Sequence, residues 1–463
     1  MTTRVNDAAE RELRALLGGD AVLAGDTPGY ASDETEGRAL AGRADAVVLP
    51  RSVGEVARVV GWCCEHEVPV VPRGGGTGFA GGAVPVHGGV VMALERMTQV
   101  LSFDPGVWRM HVEAGLRTAH VRRLARENGL FFPPDPGAAE QSQIGGNVAT
   151  NAGGPHAFKY GVTGAWVTGI EAVVPPGETI VVGGPIRKDV AGYDLRSLLV
   201  GSEGTLGVIT SVWLRLIPAP EAALPVVAFY ADAAAGAESV ARVMENGLAV
   251  AALEFLDGGT LEAAGGSYPG GVPAGAAFAV IAEADGDAAA AERLRAEAAE
   301  VIGPGALRVD TPAAGRETAA LWRWRDGVSI AVTARRGGKA SEDIVVPADR
   351  LAEAIAETSA IGARHDLEAC SWGHAGDGNL HSTFLLEPGD AAELARSERA
   401  AAELFELAVR LGGSVSGEHG TGWIKRGQLE RQWSPRALDL HEAVKRAFDP
   451  GGVMNPGKKT ARR

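Results

Sequence analysis

The chain has only three cysteines in 463 residues: Cys63, Cys64 and Cys370. Two are adjacent, so they do not resemble a disulfide framework. The count also excludes an iron–sulfur cluster held by four thiolates of this chain. A reduced, cytoplasmic setting fits this usage. No apolar run approaches the ~18 residues that a spanning helix needs, so membrane contact would be peripheral or through a partner. Residues 1–10 have no apolar core and no small-residue cleavage site, which argues against a secretory signal. Lys and Arg form no useful run, and the net charge is -14. That balance argues against a nucleic-acid partner, because phosphate binding wants a basic face.

A hydrophobic fraction of 46% is ample for a buried core. Residues 7–17 read as a short amphipathic helix. Asp7 can cap its start, Glu10 sits three residues on, and Gly18-Gly19 ends it. A turn-rich connector follows to about residue 41. From 42 to 219, strands alternate with helices and glycine loops. Ser52 caps a helix predicted over 53–66, with Val53, Val56, Val59, Val60 and Cys63 on one stripe. Strands are predicted near 68–71, 89–92, 109–113 and 208–214, and a helix near 118–128. Pro218-Ala219-Pro220 marks a boundary. Beyond it lie alanine-rich helices at 287–301, 347–361 and 390–411, with strands at 278–283 and 367–372 among them.

Gly76-Thr77-Gly78-Phe79-Ala80-Gly81 matches G-x-G-x-x-G, but a dinucleotide fingerprint must open a helix. The residues from Ala80 to Gly89, rich in glycine and proline, cannot make a stable one. No Gly-Lys-Ser/Thr occurs, so a P-loop is excluded. What remains is a backbone nest, in which successive N–H groups converge on an anion such as pyrophosphate. The alternative is a flexible turn. Loops at 143–154 and 201–207 are also built for close approach. Three such loops suggest a long cofactor threaded along backbone.

The segment Gly373-His-Ala-Gly-Asp-Gly-Asn-Leu-His381 carries the sharpest chemical signal. Asp377-Gly378 predicts a two-residue hairpin turn. Gly376 then pairs with Asn379, Ala375 with Leu380 and His374 with His381. Directly opposed residues share a face, with Cβ atoms roughly 4.5–5.5 Å apart. Two imidazoles held that way form half of a metal clip, and Ser416-Gly-Glu-His-Gly420 offers a third ligand. Two histidines and a carboxylate leave positions open for a substrate. The alternative is a surface hairpin with incidental histidines. His66, His87, His111, His120, His365 and His441 read as surface or satisfied residues. His156, beside the second glycine loop, reads as structural.

Together these residues resemble the FAD-linked oxidases of the vanillyl-alcohol-oxidase type. The branch is that of the D-2-hydroxyacid dehydrogenases, which includes glycolate oxidase catalytic subunits, D-lactate dehydrogenases and D-2-hydroxyglutarate dehydrogenases. The anchors run from Pro72-Arg-Gly-Gly-Gly-Thr-Gly78 through Pro134-Asp-Pro136, Ile144-Gly-Gly-Asn147, Lys159-Tyr-Gly161, Gly201-Ser-Glu-Gly204 and the histidine hairpin. They continue with Gly417-Glu-His-Gly420, Phe448-Asp-Pro450 and Asn455-Pro-Gly-Lys458. The resemblance implies an α+β fold. An N-terminal helical segment (1–41) precedes a two-subdomain FAD-binding domain (42–219). An α+β substrate and metal-binding cap domain with an antiparallel sheet follows (220–463).

It also implies cofactor contacts. Pro72 would contact FAD, whose pyrophosphate would lie at Arg73, Gly74, Gly75, Gly76, Thr77 and Gly78. Pro136, Ile144, Gly145, Gly146, Asn147, Asn151 and Gly153 would follow, then Glu203, Gly204, Ile209 and Asn455. Some relatives attach the flavin through a histidine in the first loop; Thr77 stands in the matching region, so non-covalent FAD is expected. His374, His381 and Glu418 would hold a divalent metal, zinc or manganese, and His419 would be the base. Arg325, Ser329 and Lys339 would hold the substrate acid, although the strict family position for the lysine is Ser341. That departure, with Thr383 in place of the hydroxyglutarate enzymes' asparagine, favours a small 2-hydroxy acid over a dicarboxylate.

The chemistry explains these parts. Removing hydride from a 2-hydroxy acid leaves a carbonyl, so the hydroxyl proton must also go. A metal on the hydroxyl oxygen lowers that barrier, and a neutral histidine is a fitting proton acceptor. The electron acceptor is not legible; a separate electron-transfer protein is one candidate, and a homodimer is compatible with the chain. The competing readings are a D-2-hydroxyglutarate-type dehydrogenase, a non-redox FAD-dependent ether-lipid synthase, and a flavin-binding accessory subunit.

Overall fold

The computed structural model of the protein describes residues 7–35, 38 and 40–460. The expectation for residues 1–6 and the capping side chain of Asp7 lie outside the described residues. The first helix is Asp7–Leu17. The second, Val53–Glu65, is capped as expected, with Ser52 Oγ accepting from Glu55 N at 3.3 Å. Val56, Val59, Val60 and Cys63 are buried, as one stripe at helical spacing requires.

Two small sheets form the first unit. Val90–Ala93 pairs in parallel with Ala46–Val48 on one side and Val70–Arg73 on the other. Val22–Ala24 extends that sheet antiparallel. The second sheet is antiparallel, in the order Val100–Asp104, Arg109–Glu113, Val208–Arg215, Val167–Val174, Glu178–Gly183. A single apolar core, with Val59, Met92, Val112 and Val212 among its members, joins the two. Residues 144–150, read from sequence as loop, form a short helix, Ile144–Thr150. Two glycines disfavour it locally. Packing overrides this: a Cβ on Gly145 would lie 2.6 Å from Ala114 Cβ.

The second unit is built on seven antiparallel strands, in the order Arg308–Asp310, Ala222–Tyr230, Phe278–Gly286, Ala252–Asp257, Ala369–His374, Asn379–Leu386, Gly338–Val345. Successive side chains point to opposite faces. Val226, Ala228 and Tyr230 enter one core while Val227 and Phe229 enter the other. The alanine-rich helices Ala288–Ile302, Leu351–Arg364 and Ala391–Arg410 form as expected. The middle one starts late because Ala348–Arg350 winds as a 3-10 turn. The architecture is α+β with an antiparallel sheet in the second unit. The chain then returns to the first: Val70 N donates to Val453 O at 2.8 Å and Asn455 N to Val70 O at 2.7 Å. Among the described residues, no helix is long and apolar enough to cross a membrane.

The histidine hairpin differs from expectation in register. His374 opposes Asn379, Gly373 opposes Leu380, and Trp372 opposes His381. The turn is residues 375–378. A two-residue type I′ turn needs positive φ at both central positions, and of Asp377 and Gly378 only Gly378 has it, at 66°. Tertiary bonds set the turn instead. Gly376 N donates to Leu253 O at 3.1 Å, and Val346 N to Gly378 O at 2.9 Å. The register moves by two, which preserves side-chain parity. His374 and His381 therefore still share a face, but diagonally.

A Cβ at Gly378 would sit 1.9 Å from Val346 O, on backbone that already has positive φ. Gly378→Ala should cost about 2 kcal/mol or more and lower the Tm in thermal denaturation. An unchanged Tm would show that the turn is not pinned there.

Candidate active site

The two hairpin strands deliver His374 and His381, and the loop after Ser414 delivers Glu418 and His419. Glu418 Oε1 lies 3.3 Å from His374 Nε2, 3.6 Å from His381 Nε2 and 4.0 Å from His419 Nε2. The His381 and His419 rings stack, with centroids 5.1 Å apart. Ligand atoms of His374, His381 and Glu418 lie within 4.8 Å of one another, close enough for one ion about 2 Å from each. Asp343, His381 and His419 form a second triplet at similar spacing. Its carboxylate, however, is already committed. Asp343 Oδ2 accepts from Gly417 N, Glu418 N and His419 N at 2.8, 3.0 and 2.9 Å, and Oδ1 accepts from Asn379 Nδ2 at 2.7 Å.

A residue common to both triplets also points to a cation. His381 Nδ1 is buried with no hydrogen-bond partner, and an orphaned buried polar atom points to an absent ion or water. Burial pushes the His374 imidazole down, but Glu254 and Glu418 outweigh it and hold the group well above its ordinary value. Burial and the neighbouring His419 push His381 well below. Two carboxylates thus face His374 with a proton where a metal cation would satisfy the same field.

A second carboxylate holds the loop from the other domain. Glu203 accepts from Thr421 N at 2.9 Å and Gly422 N at 2.6 Å. Asn455 Nδ2 donates to Gly82 O and Glu203 O at 2.9 and 2.8 Å.

A cavity of about 620 Å³ runs from the first glycine loop to the imidazoles. Of the residues expected to touch FAD, Pro72, Arg73, Gly74, Gly75, Gly76, Thr77, Gly78, Pro136, Gly145, Gly146, Asn147, Gly153, Glu203, Gly204 and Ile209 line it. Ile144, Asn151 and Asn455 do not. Ile144 is fully buried, and Asn151 Oδ1 accepts from Gly164 N at 2.8 Å. The lining suits a large polar cofactor. A Cβ on Gly78 would meet nothing within 4 Å and one on Gly146 only Gly74 Cα at 3.9 Å, so side chains there would project into the space. Gln143, also on the wall, keeps a buried Oε1 without a partner. At Gly153 the cavity reaches the imidazole cluster: a Cβ there would lie 2.5 Å from Glu418 Oε2.

Arg325, Ser329 and Ser341 line the wall near the cluster; Lys339 does not. Lys339 is buried, with Nζ donating to Ser329 O at 2.9 Å and to Ser329 Oγ, and lies over the Trp372 ring. Ser341 Oγ pairs with Thr383 Oγ1 at 2.8 Å. His156 has the structural place expected: its ring bridges Asp135 Oδ2 at 2.5 Å and Glu283 Oε1 at 2.8 Å, joining the two units. Sequence reasoning missed Glu254 and Asp343. Each is a carboxylate on a buried strand that carries a second buried acid, Asp257 and Glu342 respectively, and charges at such positions are the signal that could have found them.

The fold joins a unit of two small sheets to a unit built on a seven-stranded antiparallel sheet. Solved structures share it: p-cresol methylhydroxylase with substrate bound (TM-score 0.80, 19% identity, 98% of this chain and 97% of that one). Alkyldihydroxyacetonephosphate synthase is also similar (TM-score 0.77, 18% identity, 98% and 85%). Residues 44–183 match the FAD binding domain model and residues 219–459 the model of the C-terminal domain of FAD linked oxidases. The chain belongs to the FAD-linked oxidase family, on its D-2-hydroxyacid dehydrogenase branch, and is an FAD-dependent oxidoreductase. It is 39% identical to glycolate oxidase subunit GlcD of Bacillus subtilis (strain 168) over 419 residues, covering 90% of this chain and 89% of the relative. It is 34% identical to the D-lactate dehydrogenase of Anaerostipes hadrus, with 90% and 89% covered.

Burial pushes the Asp343 carboxyl up, but Lys425, His419 and His381 outweigh it and hold the group well below its ordinary 3.8. A depressed carboxylate stabilises above its unfolded pKa, and the gain fades as pH falls through the folded value. Asp343→Asn should therefore cost about 3 kcal/mol at neutral pH, with the deficit narrowing below about pH 4. Urea unfolding at both pH values checks this; an equal deficit at each would contradict it.

Proposed function

We propose that the chain oxidises a small D-2-hydroxy acid, of the glycolate or D-lactate type, to the 2-oxo acid. FAD is bound non-covalently, and zinc or manganese is held by His374, His381 and Glu418. The observation that carries this reading is the junction at Gly153, where the FAD-domain cavity meets the Glu418 carboxylate. The relatives named glycolate oxidase subunit and D-lactate dehydrogenase support the substrate class. Non-covalent FAD is supported by the wall itself: among the described residues lining the cavity, the histidines are His374, His381 and His419, and there is no cysteine or tyrosine.

When bound, the metal would act as a Lewis acid on the substrate hydroxyl and the flavin would accept the Cα hydrogen as hydride. The protein's own residues do the placing. Arg325 holds the substrate carboxylate, helped by the Ser329 hydroxyl. His419 accepts the hydroxyl proton at Nε2, the nitrogen that faces Glu418 at 4.0 Å. Phe79, 4.7 Å from the His419 ring, keeps water from that face.

A single substrate carboxylate is favoured. Lys339 is turned to Ser329, and Arg325, part of whose guanidinium Glu254 holds, is left to serve one carboxylate. Arg73, the other arginine on the wall, reaches Ser32 O at 2.7 Å. This argues against the hydroxyglutarate reading. The imidazole–carboxylate cluster, a ligand set suited to a metal that activates an alcohol, argues against both a non-redox ether-lipid synthase and an accessory subunit. A separate electron-transfer protein is the proposed oxidant of the reduced flavin, in line with relatives named as oxidase subunits.

Anaerobic mixing with glycolate or D-lactate should bleach the flavin. Chelation should abolish the bleaching, and zinc or manganese should restore it. His419→Asn should retain the yellow cofactor yet slow bleaching ~10²–10⁴-fold. Bleaching that ignores chelation would remove the metal, and an unaltered rate in the variant would remove His419 as base.

A further inference from the structure

The geometry points to Glu254 as a positioning residue that sets the metal ligand His374 and the carboxylate anchor Arg325 together. This rests on the functional reading above. Glu254 lies on Ala252–Asp257, directly opposite His374 in the sheet register. It is fully buried, between Leu253 and Phe255, which are equally buried. Such a carboxylate stays ionised only if donors replace water on both oxygens. They do, and each oxygen serves a different functional group. Oε1 takes His374 Nδ1 at 2.6 Å. Oε2 accepts from Arg325 Nε at 2.9 Å, and the guanidinium is ion-paired to the same oxygen, with Nη2 2.5 Å away but making no hydrogen bond.

Two consequences follow from this single side chain. With Nδ1–H donated to Glu254, the His374 lone pair is fixed on Nε2, the nitrogen that faces Glu418. With Nε donated to Glu254 and the guanidinium ion-paired to it, the Arg325 fork is oriented by the same anchor. Arg325 and His374 stand 71 and 120 residues from Glu254 in sequence, yet one carboxylate fixes both. Glu254 is not on the cavity wall, so its removal should spare FAD while disturbing ion and substrate together. A merely structural ion pair would behave differently. Its loss would lower thermal stability and FAD content but leave the ion affinity of the folded protein unchanged.

The test compares wild-type, Glu254→Gln and Glu254→Asp holoenzymes. Mn²⁺ affinity is read by competition with a chelator, FAD content by absorbance, and KM with D-lactate. Glu254→Gln should bind Mn²⁺ ~10–100-fold more weakly and raise KM about tenfold, with FAD content unchanged. Glu254→Asp keeps the charge but is one methylene shorter, and should fall between. Wild-type affinity and KM in Glu254→Gln would overturn the proposal, as would a loss of one without the other. If Glu254→Gln yields no FAD-loaded protein, Glu254→Asp decides: weakened Mn²⁺ binding with FAD retained supports the role, and wild-type binding overturns it. A wild type that binds no Mn²⁺ defeats the functional reading and this role with it. A wild type that binds it, beside unaltered variants, defeats Glu254 alone.

Discussion

Buried carboxylates that find N–H donors in place of water organise this molecule. Asp343 shows it most plainly, taking three consecutive backbone amides, those of Gly417, Glu418 and His419, on one oxygen. Chain wrapped round an anion in this way does not alternate like a strand. That is how two adjacent residues, Glu418 and His419, both reach one cavity. Lys425, 3.6 Å from the same carboxylate, supplies the balancing charge. Without such partners an ionised group in this interior would cost several kcal/mol.

The same device ties the domains together. Glu203, from the first unit, holds Thr421 and Gly422 of the loop whose earlier part Asp343 holds from the seven-stranded sheet. Asp285 of the cap accepts from Lys159 and Tyr160, and His156 spans Asp135 and Glu283. The tail at 453–455 re-enters the first core. The cap sheet contributes stiffness, since His374 and His381 project from paired strands. The FAD domain contributes close approach, since its glycine loops leave room along the cavity. The proposed chemistry needs both at once, and Gly153 beside Glu418 is where they meet.

Much of this was legible in the sequence, and for physical reasons. Helix Val53–Glu65 announced itself by a cap and a stripe, both local properties. The shared face of the two hairpin histidines followed from strand parity, which a shift of two leaves intact. The register itself was not legible, because Leu253 and Val346 set the turn from distant parts of the chain. The helix at Ile144–Thr150 was hidden for the same reason: its glycines look like loop until Ala114 is placed against them. Glu203 and Asn455 were expected beside the cofactor; Glu203 lines the cavity and Asn455 does not, and the partners of their side chains, Thr421, Gly422 and Gly82, become visible only in three dimensions. Glu254 escaped because its two partners lie on other elements, although a buried acid between Leu253 and Phe255 was a readable warning.

The most direct measurement is anomalous diffraction from crystals of the holoprotein soaked with zinc. The proposed centre predicts one strong peak about 2.0–2.2 Å from His374 Nε2, a nitrogen of His381 and a carboxylate oxygen of Glu418, beside bound flavin. A peak at Asp343 and His419 instead, or none while FAD is in place, would contradict it.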